Sequence, residues 1–551
     1  MRIFGLLALL AAALAGSQAP SAPPSPPNPC TWARDLRLVN GRIHTMDTRN
    51  QVVSEVTIQQ GRFAAVGRSG NRTLNPCTQT IDLRGRTVVP GLIDNHNHIV
   101  LLGMRPGHDL RLDRVFSISD LRAAIRARAQ TLPPSEWITA MGGWNQLQFA
   151  EKEWPTIGEL DAAAPNHPVI LYQGFNGPAA TNTRGKNFFE GQGVAVNPAG
   201  QIAANARSIA ALNALRSIQT FADQKRGTLD AMAYVASVGL TTNVDMGFNI
   251  IPGTPDLKGS QVSDGLASLN PWTAYDALLA LHRENRLTTR LRLFIYTQDT
   301  QLDTPILKER LLNQFTEVGD DMLRVSGIGE QAVAWNGAAT PPALFEAGLT
   351  LIARHGWAFQ QHSLSLAEDQ LIASTFEKIN AVTPIAGLRW SDAHVPRIDQ
   401  ATVNRFKAIG AGLAVHPGSR YLGTPGGGPP FRMILNSGIH MGVGSDAAQV
   451  TTLSPWAMIS YMVTGRNAGG ELVNQGQQIT REEALRLYTV ENGWFFHEEE
   501  KLGSIEAGKL GDLVVLSDDY FDPQKVPDDK IRVLKSVLTV VDGKIVYNDM
   551  R

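Results

Sequence analysis

The chain has 551 residues, with 50 Lys and Arg against 51 Asp and Glu and a formal net charge of −1. So even a balance excludes the basic field of a nucleic-acid binder, and 43% hydrophobic with 18% charged residues excludes a disordered acidic chain. Two cysteines rule out a disulfide-dense scaffold or a cysteine-rich zinc module, which leaves a globular protein of enzyme size.

Arg2 precedes an apolar run from Ile3 to Ala15 that ends in the small-x-small pattern Ala13-Leu14-Ala15. That pattern predicts a secretory signal peptide over residues 1–15. The run is shorter than the roughly 20 apolar residues of a spanning helix. Ser17 stands where a lipoprotein would carry its acylated cysteine. Residues 16–32 read as a Pro-rich tether, with six prolines between Gln18 and Pro29. The protein is thus expected to be exported, periplasmic or secreted. An oxidising compartment permits a disulfide between Cys30 and Cys77, which contributes about 4 kcal/mol in the chain-entropy account.

Short alternating segments follow: Leu36–Asn40, Val56–Gln60, Phe63–Val66 and Thr80–Leu83, with turns at Asn40-Gly41 and Gln60-Gly61. The C-terminus has the same texture in Leu513–Leu516, Val533–Val541 and Lys544–Tyr547. Residues 33–88 and 503–551 are therefore expected to form one β-sandwich subdomain, since chain termini tend to lie close together.

Between them, apolar strands alternate with amphipathic helices. Strands are predicted at Leu92–His98, Leu240–Asp245, Leu291–Tyr296, Leu323–Glu330, Trp357–His362, Leu388–His394, Gly412–His416 and Met441–Asp446. Helices are predicted at Leu344–Arg354, Glu368–Ile379, Gln400–Ile409 and Met433–Ser437. The fold class is α/β: a (β/α)8 TIM-like barrel over residues 89–502. The count closes only if about residues 105–228 are an insertion after the first strand, with its own helix Ile118–Leu132 and strands Trp137–Met141 and Val169–Tyr172.

The chemistry sits where strands end. In Asp94-Asn95-His96-Asn97-His98, strand alternation turns His96 and His98 to one face, where two imidazoles can grip one divalent metal. Glu330, His362, His394 and Asp446 each end a different predicted strand, on the side where barrel active sites are built.

Val89-Pro90-Gly91-Leu92-Ile93-Asp94-Asn95-His96-Asn97-His98, Gly444-Ser445-Asp446 and the tail Leu502–Leu516 resemble the amidohydrolase superfamily, and within it the amidohydrolase family 3 group. The resemblance covers nearly the whole mature chain and implies a metal-bearing barrel that hydrolyses bonds at carbonyl carbon, often amides and cyclic amides. It implies His96 and His98 as first-strand ligands, His362 on strand five, His394 on strand six and Asp446 on strand eight. Many binuclear members carry a carboxylated lysine on strand four. Here Leu323–Glu330 holds no lysine, and Glu330 already offers a carboxylate that can ligate or bridge; the alternative is a Glu paired with an Arg or facing away.

His and carboxylate ligands make Zn2+ the expected ion, one or two per chain. Such an ion lowers the pKa of a bound water toward about 7 for attack on a carbonyl. Asp446 is the expected proton shuttle to the leaving nitrogen, and His394 either binds metal or polarises the carbonyl. His416, Trp144, Tyr172 and Asn176 are candidates for substrate contact, with a place in the core as the alternative for each. The expected partner is a small-molecule substrate, with no nucleic acid and no membrane span. An esterase or lactonase using the same metal, or a non-catalytic relative, are the competing functions.

Overall fold

The computed structural model describes residue 30 and residues 33–68, 74–251, 265–313, 315–424, 426–447 and 449–550. The expected signal peptide and nearly all of the tether lie outside the described residues. Eight parallel strands form the central sheet: β1 (Leu92–Asn97), β2 (Leu240–Asp245), β3 (Arg290–Ile295), β4 (Leu323–Glu330), β5 (Ala358–His362), β6 (Ser391–His394), β7 (Gly412–Val415) and β8 (Met441–Val443). Each pairs in parallel with the next in chain order, which is the sequence of a TIM-like barrel.

Helices between the strands cover the outside: α1 (Ile99–Gly103), α2 (Phe221–Val238), α3 (Asp276–Arg283), α4 (Pro305–Asn313), α5 (Pro342–Arg354), α6 (Leu366–Asn380), α7 (Gln400–Ala408) and α8 (Phe431–Ser437). Local chemistry sets their ends. Thr220 and Asp223 form a capping box at the start of α2, and Gly239 at φ +89° ends it and hands the chain into β2. Because α2 begins at Phe221, the expected insertion boundary at residue 228 falls inside this helix. The expected sixth strand also begins late. Ala386–Leu388 is a 3-10 turn, and Arg389 at φ +59° breaks the extended run until Ser391.

The barrel interior is filled by Ile93, Val244, Met246, Phe294, Ala358 and Ala393. A Cβ on Gly327 would stand 2.4 Å from the Phe294 ring, so a glycine is what lets that ring occupy the centre. Leu92, Leu240, Leu291 and Leu413 point the other way, into the core beneath the helices.

No strand ladder joins β1 to β8 among the described residues; side chains and loop backbone close that seam. Asp94 accepts from Ser445 Oγ (2.6 Å), Ser445 N (3.0 Å) and His96 N (3.1 Å). Asn492 donates to both Ile93 O and Val443 O, while its Oδ1 accepts from Val443 N. Asp446 N donates to His96 O, and His98 N to Ala447 O.

Segments from both ends of the chain build one six-stranded sheet, in which Leu513–Leu516 pairs with Thr87–Pro90. A four-stranded sheet from residues 36–82 packs on it through Leu38, Ile58, Val88, Val515 and Leu538. The strand expected from Val533 starts at Ser536, because residues 528–533 form a 3-10 helix. Cys30 and Cys77 are joined by a disulfide. Between β1 and α2 lies a separate five-stranded sheet whose central strands are Ile138–Met141 and Val169–Tyr172, with its own apolar clusters.

A buried ion pair fastens the barrel to the terminal sheets. Arg290 on β3 is wholly buried and holds Asp512 through two hydrogen bonds, Nε to Oδ2 at 2.7 Å and Nη2 to Oδ1 at 2.8 Å. Burial works against the Arg290 charge, but Asp512 outweighs it and raises the pKa further. Removing Arg290 strands the Asp512 charge, and removing Asp512 leaves the buried guanidinium only a longer contact with Asp542 Oδ1 at 3.7 Å. Asp512→Ala is expected to cost about 3–5 kcal/mol in urea unfolding, whereas the paired replacement Arg290→Met with Asp512→Leu costs less than either single change. A single variant of wild-type stability contradicts this account.

Candidate metal centre

All six expected ligands converge at the C-terminal ends of the barrel strands. Glu330, at the end of β4, stands in the middle. Its Oε2 is 3.0 Å from His362 Nδ1, 3.4 Å from His394 Nε2 and 3.4 Å from His96 Nε2, and its Oε1 is 3.8 Å from His98 Nε2. Asp446 Oδ1 lies 3.4 Å from His98 Nε2 and 3.8 Å from His96 Nε2. Three groups each bring their ligand atoms within 4.8 Å of one another: His96, His98 and Asp446; Glu330, His362 and His394; and His96, His394 and His416.

The protons point the same way. An imidazole that ligates through Nε2 keeps its proton on Nδ1, and that proton needs an acceptor. His98 Nδ1 meets the Gly247 carbonyl at 2.8 Å, and His96 Nδ1 meets Gln360 Oε1. His394 Nδ1 meets His416 Nδ1 at 3.1 Å. In each case Nε2 is left facing a carboxylate, and His96 Nε2 is buried without a hydrogen bond. A buried donor atom with two carboxylates at 3.4 and 3.8 Å is what a divalent cation would satisfy, so these residues fit one.

Electrostatics within the cluster are strong. For His98, burial favours the neutral ring, yet the Asp446 hydrogen bond and the Glu330 and Asp446 charges prevail and hold its pKa at about 9. Burial raises the Glu330 pKa, but His362, His394 and His96 drive it well below the ordinary carboxylate range. His416 is pushed well below the usual imidazole value by burial and by the neighbouring His96 and His394. His394 and Asp446 also hold left-handed backbone, at φ +69° and +55°, a cost that the surrounding contacts sustain.

The substrate-contact expectations change. His416 is 2% exposed and packs against His394 and His96, so it supports the cluster from within. Trp144 belongs to the insertion core, stacked with Phe149 and edge-on to Trp154. Tyr172 is fully buried in the insertion's other core, its hydroxyl donating to Phe175 O. Asn176 accepts from Ser208 Oγ and from Asn205 N through its backbone carbonyl, while its side-chain Oδ1 is buried without a hydrogen-bond partner. Apolar strand ends in an insertion are core before they are pocket. Sequence reasoning overlooked Gln360, Asp94 and Asn492. Two of them carried a signal, since Gln360 precedes His362 by two residues and Asp94 precedes His96 by two, on the same strand faces.

A parallel barrel with this His and carboxylate cluster at its strand ends defines a metal-dependent hydrolase. The chain belongs to the amidohydrolase family, whose model matches residues 79–547. An N-substituted formamide deformylase of Arthrobacter pascens is 23% identical over 94% of this chain and 99% of its own length. Among solved structures, an uncharacterized metal-dependent hydrolase of Pyrococcus horikoshii aligns with a TM-score of 0.57 at 18% identity, covering 88% of this chain and 98% of that one. The atrazine chlorohydrolase of Arthrobacter aurescens, complexed with zinc, aligns with a TM-score of 0.55 at 15% identity, covering 93% and 95%. These structural likenesses establish the fold.

The His394–His416 contact makes a specific prediction. Asn at 416 places an acceptor oxygen near the present Nδ1, whereas Leu removes it. His416→Leu is expected to weaken metal binding by about 10–100-fold in a chelator competition, with His416→Asn closer to wild type. Equal affinities for the two variants contradict the assigned proton arrangement.

Proposed function

We propose that this protein is an exported amidohydrolase that uses zinc to cleave a carbon–nitrogen bond of a small amide or cyclic amide. The observation that carries the reading is the position of Glu330, whose carboxylate faces four imidazoles from three other strands at 3.0–3.8 Å. His96, His98 and Asp446 would hold one ion, and His362 and His394 a second. Glu330, whose carboxylate faces both groups, would supply the negative charge that a carboxylated lysine supplies in other members. The chemistry such ions supply is Lewis-acid activation of water and polarisation of a carbonyl.

The residues do the rest. Asp446 reaches the site from the β1–β8 seam, where its backbone N–H is tied to His96 O, so its carboxylate is held beside both first-strand imidazoles. From there it accepts the proton of the attacking water and returns it to the leaving nitrogen. The Gln360 and Gly247 contacts fix the two first-strand rings so that neither swings out when substrate enters. Similarity to the formamide deformylase over almost the entire chain supports an N-substituted amide as substrate.

Two features support export: the apolar leader at the N-terminus and the Cys30–Cys77 disulfide, which suits an oxidising compartment. No helix among the described residues is long and apolar enough to cross a membrane.

A hydrolysis screen with and without chelator tests the reading, using N-substituted formamides, N-acyl amino acids, cyclic amides and their matching esters and lactones. An amide is expected to be turned over, chelation to abolish turnover, and Asp446→Asn to lower kcat by about 10²–10⁴-fold. Turnover that survives metal removal, or Asp446→Asn at wild-type rate, sinks the proposal. Esters hydrolysed to the exclusion of amides would replace it with the esterase reading.

A further inference from the structure

The loops after β2 and β3 wall a second cavity, of about 300 Å³, beside the metal centre. Gly247 forms the shared wall, since it lines the cavity and its carbonyl meets His98 Nδ1; Tyr296 lines the cavity beside it, its hydroxyl donating to Asn249 Oδ1. None of the clustered metal-ligand candidates lines it. Away from the shared wall the surface is apolar, built from Phe248, Ile250, Leu279, Leu293, Ile306 and Val325. Outward-facing residues of β3 and β4 form its floor, and α3 and α4 its sides. A chamber of this size and character is what a small apolar ligand occupies.

Its polar groups are few, and they narrow the ligand. Arg310, half-buried in the last turn of α4, is the only charged residue of the lining among the described residues. Among the described residues no carboxylate pairs with it. A guanidinium against an apolar chamber repels cations, gains nothing from a neutral tail, and matches the geometry of a carboxylate through two parallel N–H donors. Gln298 lines the same chamber at 6% exposure, and its Oε1 is buried without a hydrogen-bond partner. An unsatisfied buried amide costs free energy until a ligand completes it, and by rotating its terminal torsion Gln298 presents either an acceptor or N–H donors.

We propose that this cavity, lined by Arg310 and Gln298, is a binding site for a small monocarboxylate with an apolar body, separate from the metal centre. Arg310 takes the carboxylate and the β3–β4 floor takes the apolar body. Because no metal-ligand candidate takes part, the site persists without metal, and its test is independent of whether the protein hydrolyses amides.

Calorimetric titration of the full chain with octanoate, octanol and octylamine, before and after chelator treatment, reads this directly. Octanoate is expected to bind once per chain, to bind equally well after chelation, and to exceed the other two by about ten-fold or more. Arg310→Gln should erase that preference. Ile306→Trp, which fills the chamber from α4, should abolish binding, with circular dichroism confirming that both variants fold. Equal affinity for octanoate and octanol overturns the proposal without any variant. So does an undiminished preference in Arg310→Gln, normal octanoate binding in Ile306→Trp, or loss of octanoate binding on chelation, which would place the ligand at the metal centre instead.

Discussion

The seam between the first and last barrel strands is the constraint on which the site depends. The sheet ends there, and Asp94 replaces a ladder by accepting three hydrogen bonds from His96 and Ser445. Burial penalises the Asp94 charge, so the carboxylate is tolerable only while those donors stay in place. The same few atoms therefore close the barrel and set His96 and Asp446 side by side. Asn492 reinforces the closure from outside the sheet by bridging Ile93 and Val443. Fold stability and ligand geometry are one problem at this point of the molecule.

From the seam outward, the centre is organised by hydrogen bonds that aim lone pairs inward. Gln360, Gly247 and His416 each take up the outer nitrogen of one imidazole, so that the inner nitrogens converge on Glu330 and Asp446. Two carboxylates stand among five imidazoles in a compact cluster. A glutamate in the central position supplies by itself the negative charge that a lysine there would acquire only after carboxylation.

Much of this was legible in the residues themselves. Apolar runs located all eight strands, and seven of those runs end in His, Glu or Asp, because a buried parallel strand is apolar throughout and a polar end is conspicuous. The six candidate ligands were visible for that reason. Strand edges were less legible where a single backbone state decides them: Arg389 in the left-handed region delays β6 in a way no side-chain pattern announces. Supporting residues were harder still, since Gln360 and Asn492 act through contacts 264 and 399 residues away in sequence. The insertion misled because Trp144 and Tyr172 fall at or just after the ends of apolar strands as pocket residues do, yet they serve two cores that are separate from the barrel.

On the proposed reading, the six converging side chains hold two divalent ions with Glu330 between them. Anomalous diffraction from crystals grown with zinc, collected on both sides of the zinc absorption edge, tests it most directly. Two peaks are expected, one among His96, His98 and Asp446 and one between His362 and His394, each adjoining Glu330. A fully occupied single peak that leaves His362 and His394 without a contact, or a peak away from Glu330, would contradict it.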